Sequence, residues 1–262
     1  MDEPTIAACR AKVARAKEGL EVLADKWRAW IDSQPYPSRI EADRDTGWHC
    51  VYFDFSTPVP PMFSVVAGEI AFHLRSALDY LAWQEATEHI GEACAKRWAH
   101  EISFPIKRTP EAFRDSPVLS HVREDTAALM ERHQPYQGGD DSREKILGLL
   151  HWFNVRDKHR ALHVLSLSAL PFQRVNALVT ADVVWSERTL EITGGQVLED
   201  ETKVACYRFD PHGPDPNMRV QGTPEVSVGF GDTPQEYMGM HIDHVIEQVG
   251  YVIGDFEGTI AQ

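Results

Sequence analysis

Residues 149–165 read LLHWFNVRDKHRALHVL, and the spacing of their apolar side chains predicts one continuous helix. When each residue turns the helix by about 100°, Asp157 and Arg160 fall on the same face as the apolar side chains. That apolar face consists of Ile146, Leu149, Leu150, Phe153 and Val164. A buried charge is costly unless it is paired and hydrogen-bonded. We therefore expect the two charges to pair with another helix or to border a polar cleft.

A second row of side chains lies beside that face. By the same projection its members fall within about 60° of one another. They are Trp152, Arg156, His159 and His163. Lys158 adds a further cation to the stretch. This is the densest group of ionisable side chains in the sequence, and we expect the functional site to lie here.

Composition and charge exclude some functions. The chain has 262 residues and a formal net charge of −14, so RNA binding would need a local basic site and a DNA-coating role is not expected. The sequence has no apolar run long enough to span a bilayer, and the segment MDEPTIAACR lacks the apolar core of a signal peptide. The four cysteines are scattered, which fits a reducing compartment. We expect a cytoplasmic protein with no membrane partner.

Two kinds of periodicity alternate along the chain. Helical spacing predicts helices over residues 4–32, 63–99, 110–114, 124–133 and 233–256, besides the helix described above, with Gly91 as a candidate break in the 63–99 helix. Alternating apolar residues predict strands over residues 48–55, 175–184, 189–193, 204–209 and 225–230.

The order of these elements predicts an α+β fold, in which an antiparallel helical bundle has a small, mostly antiparallel β-sheet packed beside it. We interpret residues 1–262 as a single domain. The bundle is expected from residues 1–170 and 233–262, and the β-rich segment from residues 171–232, together with the strand near 48–55.

The segment RDKHRALH at 156–163 resembles the motif of the HEPN superfamily of helical-bundle proteins. That motif has an Arg, a polar residue and then a His a few positions further on in one helix. Six residues separate Arg156 from His163, the long end of the family's spacing. The resemblance does not extend to the β-rich segment. Many members are ribonucleases of toxin–antitoxin and phage-defence systems. The resemblance therefore implies a metal-independent endoribonuclease, with Arg156 and His163 acting, Asp157 orienting, and two copies facing each other in a homodimer.

The chemistry of RNA cleavage fits these residue types. Attack by the RNA's own 2′-hydroxyl needs a general base, and histidine can serve near neutral pH. It also needs a cation for the charge that develops on the phosphate, and the arginine fork suits that role. On one predicted helix, Arg156 and His163 share a face. The candidate binding residues around them are Trp152, Lys158, His159 and Arg160.

An architectural role would explain the same charges. Arg75 and Asp79 are four residues apart on the predicted 63–99 helix, so they can pair along its surface. Asp157 and Arg160 would then meet them in a buried ion network that locks two helices together. The protein would be a non-catalytic bundle that binds a small molecule or a protein partner through a polar cleft, with Arg75 and Asp79 among its binding residues. Both interpretations stay open.

A metal-dependent hydrolase is a third interpretation. His159 and His163 are four residues apart, a spacing that lets two imidazoles share a metal. A third ligand would have to come from elsewhere in the bundle, such as His73, Glu69 or His151. No HExxH or ExxH pair accompanies these histidines, and the cation Arg160 follows His159 directly. We therefore expect neither a metal nor another cofactor.

Overall fold

The computed structural model describes residues 3–33, 35–43, 45–54, 56–137, 144–159, 164–170, 182–185, 202–210, 225–230 and 242–260. For residues 155–159 and for the strands after residue 163 it describes the backbone. The α-helices of these residues are α1 (Glu3–Asp32), α2 (Met62–Ile90), α3 (Glu92–Arg97), α4 (Pro110–Arg114), α5 (Glu124–Arg132), α6 (Glu144–His159) and α7 (Ile242–Ile260), and Pro117–Ser120 form a 3-10 helix. The strands are β1 (Ser38–Ala42), β2 (His49–Phe53), β3 (Val164–Leu170), β4 (Asp182–Trp185), β5 (Thr202–Asp210) and β6 (Glu225–Phe230).

The chain divides into two compact units. The helical unit comprises Met1–Ala24, Ser64–Leu162 and Met240–Gln262. The strand-rich unit comprises Asp25–Phe63 and His163–Gly239 and holds all the described strands. The strand-rich part is thus larger than the predicted 171–232 with 48–55, because it takes in the end of α1 and β3. A single domain over residues 1–262 stays a prediction.

The core of the helical unit is built on α2. Leu74, Ala77, Leu78 and Leu81 are at most 1% exposed. Helix α2 ends at Ile90 because Gly91 has φ of 81°, a left-handed conformation that a helix cannot continue through. The predicted 63–99 helix is therefore two helices, α2 and α3. The predicted helical character of this part of the chain is confirmed.

The described strands pair antiparallel in two sheets. One sheet has the order β1-β2-β5-β4, and the other pairs β3 with β6. The prediction named one sheet and missed β1. Strand β6 has the predicted bounds of 225–230, and residues 182–185 form β4 in the region of the strand predicted over 175–184. Residues 175–181 and the predicted strand over 189–193 lie outside the described residues.

The helix predicted through residues 149–165 ends early. Helix α6 stops at His159, and Val164 begins β3, so the prediction of one continuous helix is wrong at its C-terminal end. The stretch 164–170 reads VLSLSAL, in which serine alternates with leucine and alanine. This two-residue period is typical of a strand, and the strand pairs with β6. Val164 falls on the apolar helical face by coincidence of the projection.

Candidate functional site

The charged segment that resembles the HEPN motif begins in the last turn of α6. Arg156, Asp157, Lys158 and His159 lie on the helix backbone there. Arg160 and His163 lie outside the described residues. Because His163 lies outside the described residues, the expectation that Arg156 and His163 share one face of one helix stays a prediction. Their catalytic roles stay predictions.

The turns of α6 just before this segment are anchored in the bundle. Leu150 and Phe153 are buried, and they line a narrow apolar cleft together with residues 67–74 of α2. Trp152 is half-buried, with its ring centroid 5.6 Å from that of Phe153. The last turn of α6 is therefore attached to a firmly packed part of the helix.

Arg75 and Asp79 pair with each other, as their spacing predicts. Arg75 donates from Nε to Oδ2 of Asp79 at 3.1 Å and from Nη2 to Oδ1 at 2.8 Å. Nη2 of Arg75 also donates to the carbonyl of Phe104 at 2.6 Å, and the Phe104 N–H donates to Oδ1 of Asp79 at 2.9 Å. The side chain of Asp157 and the whole of Arg160 lie outside the described residues, so their pairing with Arg75 and Asp79 stays a prediction. The Arg75–Asp79 pair binds the extended segment that contains Phe104.

Gln134 holds the same extended segment from the other side. Its side chain is completely buried. Oε1 accepts from the Lys107 N–H at 2.8 Å, and Nε2 donates to the carbonyls of Pro105 at 2.8 Å and Met130 at 2.9 Å. Buried main-chain groups need such partners, since an unsatisfied one costs about 1 to 3 kcal/mol. Residues 104–107 are thus clamped between α2 and the end of α5.

A second ionisable cluster, absent from the predictions, follows α3. Nε2 of the buried His121 lies 3.0 Å from Oε2 of Glu101, whose Oε1 lies 3.4 Å from Nε2 of the exposed His100. The ring of Trp98 stacks on His121, with centroids 5.7 Å apart, and the guanidinium of Arg97 lies 5.5 Å from the Trp98 ring. No helical spacing links these residues, so periodicity could not reveal them.

A third cluster joins α2 to the start of α5. Glu85 is buried and accepts hydrogen bonds from the Thr126 hydroxyl and from Nη2 of Arg123, the latter at 3.3 Å. Arg123 also lies 3.7 Å from Glu88. The two donors compensate the burial of the Glu85 carboxylate. This arrangement ties two helices together around a carboxylate that is only 7% exposed, so we interpret it as architectural.

The proposed metal ligands do not converge where they are described. Among the residues that the structure describes, no three His, Cys, Asp or Glu side chains are grouped so that they could hold a metal ion. His73 is half-buried on α2, while Glu69 and His151 are exposed. Burial, reinforced by Lys12 and Arg15, lowers the pKa of His73. The side chains of His159 and His163 lie outside this comparison.

The cysteines differ from the sequence expectation. Cys50 is disulfide-bonded, whereas Cys9 and Cys94 are free thiols. The backbone of Cys206 on β5 lies opposite Cys50 on β2 in the sheet register. Both residues fall within predicted strands, and that was the available signal for a cross-strand pair. Disulfides persist mainly in oxidising compartments, so this bond opposes the expected reducing cytosol.

Among the described helices, none has both the length and the apolar character needed to cross a membrane. No protein-family model, no curated protein and no solved structure matches this chain. The HEPN resemblance stays a prediction.

Proposed function

We propose that this chain is a HEPN-like ribonuclease that cleaves RNA without a metal, in a bacterial defence or toxin–antitoxin role. The observation that carries the proposal is the segment RDKHRALH, which begins in the last turn of α6. The turn before it is anchored by the buried Phe153. The helical unit supports the proposal because the resemblance implies a bundle. The proposed enzyme uses no cofactor and assembles as a homodimer.

The proposed reaction uses His163 as the general base and Arg156 as the phosphate ligand. His163 takes the proton of a ribose 2′-hydroxyl, and the 2′-oxygen bonds to phosphorus while the bond from phosphorus to the 5′-oxygen breaks. The 5′-oxygen takes a proton from water. The guanidinium of Arg156 binds the phosphate oxygens, and Asp157 orients its neighbours. The product carries a cyclic phosphate that hydrolyses to a 3′-phosphate.

The test is cleavage of single-stranded RNA in EDTA, with the product ends identified by mass spectrometry. Cyclic phosphate or 3′-phosphate ends are expected. We expect His163→Ala to abolish cutting and Arg156→Lys to impair it strongly, because lysine cannot reproduce the bidentate fork. His89→Ala, an exposed histidine outside the motif, is the matched control and should cut normally.

Other results would favour the other interpretations. Intact RNA after long incubation with folded dimer, together with a ligand or protein that co-purifies, would replace the enzyme by a non-catalytic binding bundle. Activity that is lost in EDTA and restored by zinc or manganese would instead support the metal-dependent hydrolase. Light scattering of the purified chain tests the homodimer separately.

A further inference from the structure

Helices α1 and α2 pack closely and leave one shared face open. The thiol of Cys9 donates to the carbonyl of Ala77 at 3.4 Å. Further along, Gly19 lies so close to Ile70 that an added Cβ would come within 2.8 Å of the Ile70 side chain. This close approach requires glycine and fixes the two helices side by side. The residues on the outer side of the two helices therefore form one continuous surface. We call the part of it around Lys12 of α1 and Phe72 and Tyr80 of α2 the α1–α2 face.

Two aromatic rings and a lysine are grouped on this face. Phe72 is 51% exposed and Tyr80 is 44% exposed. Being eight residues apart on α2, they are separated by about 12 Å along the helix axis. Nζ of Lys12, on α1, lies 5.7 Å from the centroid of the Phe72 ring and 5.6 Å from that of the Tyr80 ring. A cation thus lies between two exposed aromatic rings.

The neighbourhood on α1 is basic although the chain is acidic. Residues 4–17 contain four cations and no Asp or Glu, against a net charge of −14 for the whole chain. These cations are Arg10, Lys12, Arg15 and Lys17. Arg10 pairs with Glu257 and, with Lys17, lines a pocket against α7. Arg15 pairs with Glu18. Of these four cations, Lys12 is therefore the one placed to bind a phosphate on the α1–α2 face.

Carboxylates near the α1–α2 face leave Lys12 unpaired. Glu18 pairs with Arg15 at 2.9 Å, and Glu69 is exposed on α2. Within the described part of the chain, Lys12 contacts no carboxylate, and its nearest described partners are the two rings. Its ammonium group is thus free to take an external anion.

We propose that the α1–α2 face binds single-stranded RNA, with bases stacked on Phe72 and Tyr80 and a backbone phosphate bound by Lys12. Single-stranded nucleic acids are held by this combination of exposed rings and cations, and each stacked base contributes about 1 to 3 kcal/mol. The spacing of about 12 Å leaves room for the backbone to pass the lysine between two stacked bases. The choice of RNA rests on the proposed function.

The location is compatible with that function. Residues 67–74 of α2 contact α6 on their inner side, and Phe72 is exposed on the outer side. The width of one helix, about 10 Å, therefore separates the α1–α2 face from α6, the helix that leads into the motif. RNA bound on this face would lie about one helix width from α6, whose last turn holds Arg156.

Binding is tested with a labelled 2′-O-methyl oligouridine, which cannot be cut by 2′-hydroxyl attack, and is read by fluorescence anisotropy. Phe72→Ala and Tyr80→Ala should each weaken binding about 10-fold, since each removes one stacking ring. Lys12→Gln should weaken binding several-fold and reduce the salt slope by about one. Tyr251→Ala and Lys26→Gln, which change exposed residues outside the face, are the matched controls and should bind as the parent does.

The outcomes separate this proposal from the ribonuclease proposal. Cleavage of ordinary RNA with equal binding by all variants would overturn the α1–α2 face and leave the enzyme standing. Ring-dependent binding without any cleavage would keep the face and remove the enzyme. If Phe72→Ala changes the oligomeric state and leaves RNA affinity unchanged, the face is a protein interface and the proposal is wrong. Circular dichroism checks that each variant is folded.

Discussion

Replacing Asp79 with alanine should destabilise the helical unit through two losses. The Phe104 N–H, on a fully buried residue, loses its acceptor, which costs about 1 kcal/mol. The Arg75 side chain, only 12% exposed, loses its counter-ion. Stranding a buried charge costs about 3 to 5 kcal/mol, and because Asp79 is 35% exposed, we discount this to about 2 kcal/mol. The expected total is about 3 kcal/mol.

Urea unfolding followed by the helical circular dichroism signal measures this loss. Asp79→Asn should cost about 2 kcal/mol, because the amide oxygen can still accept from the Phe104 N–H while Arg75 still loses its counter-ion. The matched control is Glu92→Ala, which breaks another pair at the same spacing, Glu92 with Lys96, whose side chains are 68% and 66% exposed. That change should cost less than about 0.5 kcal/mol. Equal losses for Asp79→Ala and Glu92→Ala would refute the clamp.

Three further predictions concern His73 and the cysteines. Burial lowers the pKa of His73, so as pH falls the unfolded chain takes up a proton at this histidine before the folded chain does. The folded state should therefore lose stability on acidification below the usual pKa of 6.5. The melting temperatures at pH 7.5 and 5.5 should differ more for the parent than for His73→Gln, and equal differences would contradict this. Burial raises the pKa of Cys9 to about 11, so iodoacetamide should label the exposed Cys94 and spare Cys9 in folded protein, and comparable labelling rates would contradict it. Non-reducing peptide mapping should find Cys50 linked to the peptide that contains Cys206, the residue opposite it in the register, and a free thiol at Cys50 would restore the reducing-cytosol expectation.

The periodicity of apolar residues was sufficient to predict the bounds of a long helix and of a regularly alternating strand. Helix α1 was predicted over 4–32 and spans Glu3–Asp32, and β6 has the predicted bounds. The Arg75–Asp79 pair followed from four-residue spacing. These features depend on neighbours in sequence, so a single sequence contains enough information to identify them.

Features that depend on distant partners were missed. The stretch at 164–170 alternates as a strand does, but Val164 also continues the apolar pattern of α6, which favoured a helix. The pairing of β3 with β6 decides for the strand, and one local stretch of sequence does not show that pairing. His121 contacts Glu101, although an extended segment, helix α4 and a 3-10 helix lie between them in the sequence. Gln134 reads as a loop residue in sequence, although its amide is fully buried against main-chain groups of Pro105 and Lys107.

Residues 104–107 are bound much as a receptor binds a peptide. Side chains of α2 and Gln134 contact main-chain atoms of Phe104, Pro105 and Lys107, so the contacts do not require a covalent chain on both sides. Arg108, which follows at once, is exposed. A trypsin cut after Arg108 places Gln134 on one fragment and its partners Pro105 and Lys107 on the other. The two fragments should therefore stay together and separate only when the helical unit unfolds.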